Sequence, residues 1–301
     1  MRYAEYTPAP RLAALVERFW LLEGSSTGSA DAVIPDGRVE LVFHYGGPFW
    51  RHDVNGEALR QPASLLVGQM IEPVVLAPDG PAGVAAIRLR PAASRTLLGF
   101  SLQEVSGRFV DLELIFPSVK RLRERLAEAC SDAERIRALE DWLIAMACPA
   151  PRRPVDAVVG TILESGGRVS IDALVAHAGT SLRQLERQFR EDVGLSPKTF
   201  SRIVRLQAAL RRVRQGCALT DVALVCGFYD QAHMTRDFRE LASMSPGAWQ
   251  THAGDLAPLF VEGPPVAENL SHEAGPRPIT MNTKTTMAAN KTRHARPSRA
   301  S

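Results

Sequence analysis

The sequence predicts an α+β chain: a β-rich N-terminal domain followed by an all-α C-terminal domain with two helix-turn-helix motifs. Three observations predict it. Up to residue 110, short apolar runs alternate with Gly-, Pro- and Asp-rich turns. Beyond residue 154, apolar residues recur with helical spacing. Within that second region a unit made of a helix, a glycine turn, a basic helix and a Ser-Pro step occurs twice.

Composition fits this division. The chain has 301 residues, 45% of them hydrophobic and 23% charged, enough for two domains with buried cores. No uncharged apolar run reaches the length of a membrane-spanning helix. Glu5, Arg11, Glu17 and Arg18 interrupt the stretch that a secretion signal would need. Cys130, Cys148, Cys217 and Cys226 lack the CxxC spacing of zinc sites. The expectation is a cytoplasmic chain with reduced thiols, no metal, no cofactor and no membrane partner. A net charge of +3 excludes a polycation, yet Lys198, Arg202, Arg205, Arg211, Arg212 and Arg214 follow one another with no acid between them. Charge alone reads this stripe either as a solvated helix face or as a phosphate-binding one.

In chain order, Leu12, Leu15, Val16 and Phe19 share one helical face and predict a helix over 9–20. Strands are predicted at 32–34, 39–45, 64–70, 74–77 and 84–89. The turns Pro35-Asp36-Gly37, Gly46-Gly47-Pro48 and Pro78-Asp79-Gly80-Pro81 separate them. These make residues 1–110 a sandwich or small barrel, and 91–100 reads as helix. Residues 111–153 read as a helical connector. Leu122 and Leu126 face one way, and a Ser131/Glu134 capping box opens a helix with Ile136, Leu139, Leu143 and Met146 inward. That pair either mediates coupling or dimerisation or simply packs on the β domain. Pro149, Pro151 and Pro154 mark a linker, so 154–254 is expected to fold and bind its partner alone. Residues 255–301 read as a disordered tail whose last 21 residues carry five basic and no acidic side chains.

The C-terminal unit carries the functional signal. Ser170 caps a helix with Ile171, Leu174, Val175 and Ala178 inward, and Gly179 ends it. Thr180-Ser181 opens a second helix, with Leu182, Leu185 and Phe189 on one side and Arg183, Arg187 and Arg190 on the other. Gly194-Leu195-Ser196-Pro197 leads into a long helix over 197–214. The pattern then repeats. Thr220 caps a short helix with Val222, Ala223 and Val225, Gly227 turns, and 231–241 forms a helix with Met234, Phe238 and Leu241 inward and Arg236 and Arg239 outward. Ser245-Pro246 closes the copy.

On the stretches LVAHAGTSLRQLERQFREDVGLSPKTFSRIVRLQAA and TDVALVCGFYDQAHMTRDFRELASMSPGAW, residues 170–250 resemble the C-terminal DNA-binding domain of AraC/XylS-type transcriptional regulators. The second stretch includes that family's G-F-x-D-Q signature as Gly227-Phe228-Tyr229-Asp230-Gln231. The resemblance implies two recognition helices docked in successive major grooves and held apart by a linker helix. It implies base contacts from Ser181, Arg183, Gln184, Glu186 and Arg187 in the first motif, and from Gln231, Ala232, His233, Arg236 and Arg239 in the second. Arg190, Lys198, Arg202, Arg205, Arg211 and Arg212 are the expected backbone contacts. Glu186 reads alternatively as structural, and His233 as merely exposed. Val175, Ser243 and Gln250 depart from the family, where alanine, glycine and arginine are usual.

The N-terminal half resembles, less specifically, the β-rich domains of one subgroup of these regulators. The pieces that carry this are Arg2-Tyr3, Phe19-Trp20, Ile34 to Leu41 and Ile87 to Pro91. This implies a sensory or dimerising role. The expected partners are double-stranded promoter DNA, an unidentified small-molecule effector, RNA polymerase and a second copy of the chain, with the protein associated with the nucleoid. The alternative is a β-barrel enzyme targeted by its helix-turn-helix domain. Residues 1–110 hold no cysteine for it, and Glu40, His44 and His52 lack the His-x-His pairing of a barrel metal site. Asp36 reads as turn chemistry, and Cys217 and Cys226 as buried spectators rather than a redox switch.

Overall fold

A computed structural model describes residues 1–25, 30–52, 57–91, 93–146, 153–252, 256 and 261. Its strands are β1 (Arg2–Tyr6), β2 (Val16–Gly24), β3 (Asp31–Val33), β4 (Val39–His44), β5 (Phe49–His52), β6 (Ala58–Arg60), β7 (Ser64–Val67), β8 (Val74–Pro78), β9 (Ala82–Leu89) and β10 (Phe109–Asp111). They form a six-stranded sheet in the order β1-β2-β9-β4-β7-β10 and a four-stranded sheet in the order β3-β8-β5-β6. All of these pairings are antiparallel.

The larger sheet is apolar on both faces, because a layer covers each. Phe19, Leu21, Leu41, Phe43, Ile87 and Leu89 face helices, whereas Trp20, Leu22, Val42, Leu65 and Val84 face the smaller sheet. The helices are α1 (Ser94–Leu98), α2 (Val119–Glu128) and α3 (Asp132–Met146). Val119, Leu122, Leu126, Ile136, Leu139 and Leu143 are all buried in that layer. The leucines expected to offer a dimer face are therefore already spent inside the N-terminal core. Arg2 joins the two layers, donating to Asp132 Oδ2 at 2.7 Å and pairing with Glu23.

The helix predicted over 9–20 is wrong. A short 3-10 turn covers Pro10–Leu12 and the chain then enters β2. The apolar positions do fit a helical period, but β2 lies between β1 and β9 with both faces covered. Such a strand carries bulky residues without alternation. The edge strands β1, β6 and β10 and the inner strand β5 had no counterpart in the sequence reading.

The C-terminal domain contains α4 (Pro154–Glu164), α5 (Ile171–Ala178), α6 (Leu182–Val193), α7 (Pro197–Arg214), α8 (Leu219–Val225), α9 (Gln231–Ala242) and α10 (Pro246–Gln250). Pro154, read as part of a linker, stands at the start of α4, where its missing N–H costs nothing. Pro149 and Pro151 lie outside the described residues. Phe189, Phe200, Ile203, Leu206, Phe238 and Trp249 fill one core, and the Trp249 indole donates to the Leu210 carbonyl at 2.8 Å.

That core is not closed by its own domain. Ile34, on the loop between β3 and β4, is buried among these helical residues, as is Val261. Gln207 on α7 donates to the Pro35 carbonyl at 2.8 Å. Gly37 adopts φ +76°, and a Cβ there would lie 2.9 Å from the Phe200 ring. In the other direction Leu256 is buried against the N-terminal sheets. Its amide donates to Asp31 Oδ2 at 2.6 Å, and His252 Nε2 lies 2.8 Å from Asp31 Oδ1. Two residues of the tail expected to be disordered are thus built into the fold, and the core of 154–254 is shared with Ile34 and Val261. The rest of 255–301 lies outside the described residues.

Candidate nucleic-acid interface

Every helix of the interface but α8 begins with a side chain that accepts from an otherwise orphaned amide. Ser170 accepts from Ala173, Ser181 from Gln184, Ser196 from Thr199, Asp230 from His233 and Ser245 from Ala248. Gly179 and Gly227 take positive φ, 60° and 78°, which turns α5 onto α6 and α8 towards α9. The duplication read in the sequence is therefore a duplication of caps and turns. Thr220 is not the cap of α8, because the helix starts one residue earlier and Ala218 occupies that place without a side-chain bond.

On α6, Leu185 and Phe189 are buried and Ser181, Arg183, Gln184, Arg187 and Arg190 are exposed. Leu182, expected inward, is 48% exposed and belongs to the same outer surface. Glu186 is half-buried and lies 3.3 Å from Arg190, one turn on, so these two neutralise each other along the helix. On α9, Met234, Phe238 and Leu241 are buried, while Gln231, Ala232, Arg236 and Arg239 are exposed. His233 is committed to the turn. Its Nδ1 accepts from the Tyr229 amide at 3.3 Å and its ring meets Phe228 edge-on at 5.5 Å, which leaves Nε2 for an outside partner. Tyr229 and Leu224 beside this turn are 93% and 79% exposed, a surface the sequence reading did not single out.

The linker-helix cations divide into two sets. Arg202 donates to Asp237 Oδ1 at 2.7 Å and also pairs with Glu240. Arg205 lies 3.4 Å from Asp237 Oδ2 and 4.8 Å above the Phe228 ring. Asp237 is 3% exposed. These two arginines, expected as phosphate contacts, therefore also clamp α7 to α9 around a buried carboxylate. No charge stripe could reveal this, since the partner lies 35 residues away. Lys198, Arg211 and Arg212 are exposed. Burial and the nearby Arg38 and Arg212 lower Arg211 below the usual guanidinium range against the pull of Cys226. A groove runs from Arg168 and Ser170 past Lys198 to His233 and Arg236, joining the start of α5, the first turn of α7 and the outer face of α9.

The far end of α6 is docked on the N-terminal domain. Arg95 Nη1 lies 2.9 Å from Glu191 and 2.7 Å from Asp192, and Arg153 lies 3.1 Å from the other Asp192 oxygen. Asp192 is 2% exposed. Of the remaining groups, Cys217 and Cys130 are exposed and Cys226 is buried, which corrects the expectation that Cys217 is buried. Glu40 and His44 share a face of β4, but they are bonded to Arg88 and Gln61 respectively and do not converge with His52.

Two capped, arginine-bearing helices on one core, each following a glycine turn, define a tandem helix-turn-helix DNA-binding domain. Residues 174–252 match a helix-turn-helix domain family, and residues 4–111 match a domain of unknown function (DUF6597). The chain is similar to the HTH-type transcriptional regulator MtrA of Neisseria gonorrhoeae, at 37% identity over 86 residues, 28% of this chain and 29% of that protein. It is also similar to the HTH-type transcriptional activator RhaS of Escherichia coli (strain SE11), at 35% identity over 79 residues, 26% of this chain and 28% of that protein. The matches thus span less than a third of either relative. Among solved structures, a probable AraC family transcriptional regulator from Rhodopseudomonas palustris CGA009 is 31% identical, with 34% of this chain and 98% of that one covered and a TM-score of 0.30. ToxT from Vibrio cholerae aligns over 77% of this chain and 97% of its own at 11% identity and a TM-score of 0.45. The C-terminal domain of this chain belongs to the AraC-type helix-turn-helix family.

Proposed function

We propose that the whole chain is a sequence-specific transcriptional regulator and no enzyme, with promoter DNA as its macromolecular partner and a small-molecule effector bound by its N-terminal domain. The observation that carries this reading is the presentation of Arg183 and Arg187 on α6, and of Gln231 and Arg236 on α9, by helices whose opposite faces share one core. Arginine pairs bidentately with guanine and glutamine with adenine in the major groove. Lys198, Arg211 and Arg212 hold phosphates in this reading, and contact with RNA polymerase and pairing of two copies on one promoter belong to it as well, in the nucleoid.

The test selects duplexes from a random library with the full-length chain and titrates the selected and scrambled duplexes at several salt concentrations. Arg187→Ala and Arg236→Ala are expected to cost roughly 1–3 kcal/mol on the selected duplex and to flatten preference at one or two base pairs. Equal losses on both duplexes would make these residues phosphate clamps and overturn their role as base readers.

A further inference from the structure

The loop between α4 and α5 threads between the two helix-turn-helix motifs. Gly167 adopts φ +76°, and a Cβ there would lie 2.2 Å from the Ser201 carbonyl on α7. Arg168 lies against the second motif, since a Cβ on Gly227, the turn between α8 and α9, would lie 2.7 Å from its Cγ. The Arg168 Nε donates to the Ser165 carbonyl at 2.8 Å, which fixes the stem and leaves the outer guanidinium nitrogens facing solvent.

This loop forms one wall of the groove that reaches Lys198 on α7 and His233 and Arg236 on α9. Five cations line the groove against two carboxylates. Arg202 and Arg205 are taken up by Asp237 and Glu240. Arg168, Lys198 and Arg236 are exposed and have no ion-pair partner among the described residues. The Asp172 carboxylate is exposed and is not among the walls.

Uncharged donors meet these cations. Ser170 accepts from Ala173, so the Ile171 and Asp172 amides at the start of α5 have no partner within the helix. Ser201, also a wall of the groove, is 7% exposed, and its hydroxyl is without a partner. Free helix amides, an unmet hydroxyl and cations without acids make a donor set for phosphate oxygens. A duplex entered by α6 and α9 in successive major grooves passes its backbone across α7, which joins them, and across the groove beside it.

We propose that this groove seats one phosphate of the DNA backbone, lying between the two major grooves read by α6 and α9, with Arg168 and Lys198 as its charged partners and the first amides of α5 as its neutral ones. Arg168 is anchored on the Gly227 turn and Lys198 on α7, so the two grip the strand where it passes from one motif to the other. The proposal rests on the DNA reading given above and adds to it Arg168 and the start of α5, which lie outside the arginine stripe of α7.

The test uses the full-length chain and copies of its selected duplex in which one phosphate at a time is replaced by a neutral methylphosphonate. One position between the two read grooves is expected to weaken wild-type binding roughly tenfold. Arg168→Met keeps the stem over Gly227 and removes the charge. This variant and Lys198→Ala are each expected to weaken selected and scrambled duplexes alike, to lower the salt slope by about one unit, and to lose the response at that position. A scan with no sensitive position between the grooves, or variants that still respond there, would overturn the proposal, and the wild-type scan stands even if a variant fails to fold. A flat scan with pyrophosphate binding that Lys198→Ala abolishes would overturn it too, assigning the groove to a soluble phosphorylated ligand. A chain that binds its selected duplex and shows no such position loses this seat and keeps the DNA reading. One that selects no duplex loses both.

Discussion

Ser243 ends α9 at φ 53°, the one non-glycine residue with positive φ among those described. A side chain in this region crowds its own backbone at a cost of roughly 1–2 kcal/mol, part of which glycine would return as unfolded-chain entropy. Ser243→Gly is expected to raise stability by about 0.5–1 kcal/mol in urea unfolding, without altering duplex preference. Arg202 makes the opposite case. Removing it leaves Asp237, a buried carboxylate, to the longer Arg205 contact at 3.4 Å, and Arg202→Ala is expected to cost roughly 1–3 kcal/mol of stability while leaving the salt slope of DNA binding unchanged. A slope reduced by about one unit with no change in melting would return Arg202 to the phosphate contacts.

Among the elements, β4 is the one whose two faces do different work. Phe43 packs on the helices while its neighbour His44 is buried on the other side, beside Phe49 of the smaller sheet. Burial pushes His44 down to about 4, with the Gln61 bond opposing and Arg123 adding. The unfolded chain takes up that proton near pH 6.5 and the folded one only near pH 4. The stabilisation from a neutral His44 is therefore full above pH 6.5, falls between 6.5 and 4, and is gone below, a total of up to about 3 kcal/mol. Below that window a second loss sets in. Arg2 and Tyr6, against the cost of burial, hold the Asp132 carboxyl below its usual range, so its contribution disappears as acid protonates it. Thermal melts from pH 7.5 to 4 check the first window, and His44→Gln should flatten it.

The elements also show where the sequence was readable. Ser-Pro steps, glycine turns and helical apolar spacing mark α5 to α10 without reference to distant residues, because caps and turns are local chemistry. The strands β1 and β2 escaped, since a strand covered on both faces loses the alternation that betrays it. The start of α4 hid behind prolines that read as a linker. At the interface, the arginines of α6 and α9 were legible from their face of the helix. The roles of Arg202, Arg205 and His233 depend on Asp237, Phe228 and the Tyr229 amide, which the fold alone brings to them.

For the whole molecule, the exchange of Ile34 and Leu256 between cores predicts one cooperative unfolding event. Calorimetry is expected to show a single transition with matching calorimetric and van't Hoff enthalpies. Gly37→Ala, which forces a Cβ against Phe200 at a positive φ, should split or broaden it. Two resolved transitions in the unaltered chain would show that the shared residues couple the domains only weakly.

The same exchange has a consequence for how the protein is made. A ribosome delivers the N-terminal sheets first, and domains generally begin to fold as they emerge. Here Asp31 waits for His252 and Leu256, and Ile34 waits for a core that includes Trp249 and Val261. Until that segment has left the exit tunnel, Ile34 and the Asp31 side chain lack the contacts that the C-terminal segment supplies. A truncated product released before residue 252 lacks the His252 and Leu256 contacts to Asp31, a mark by which quality-control proteases can tell an unfinished copy from a finished one.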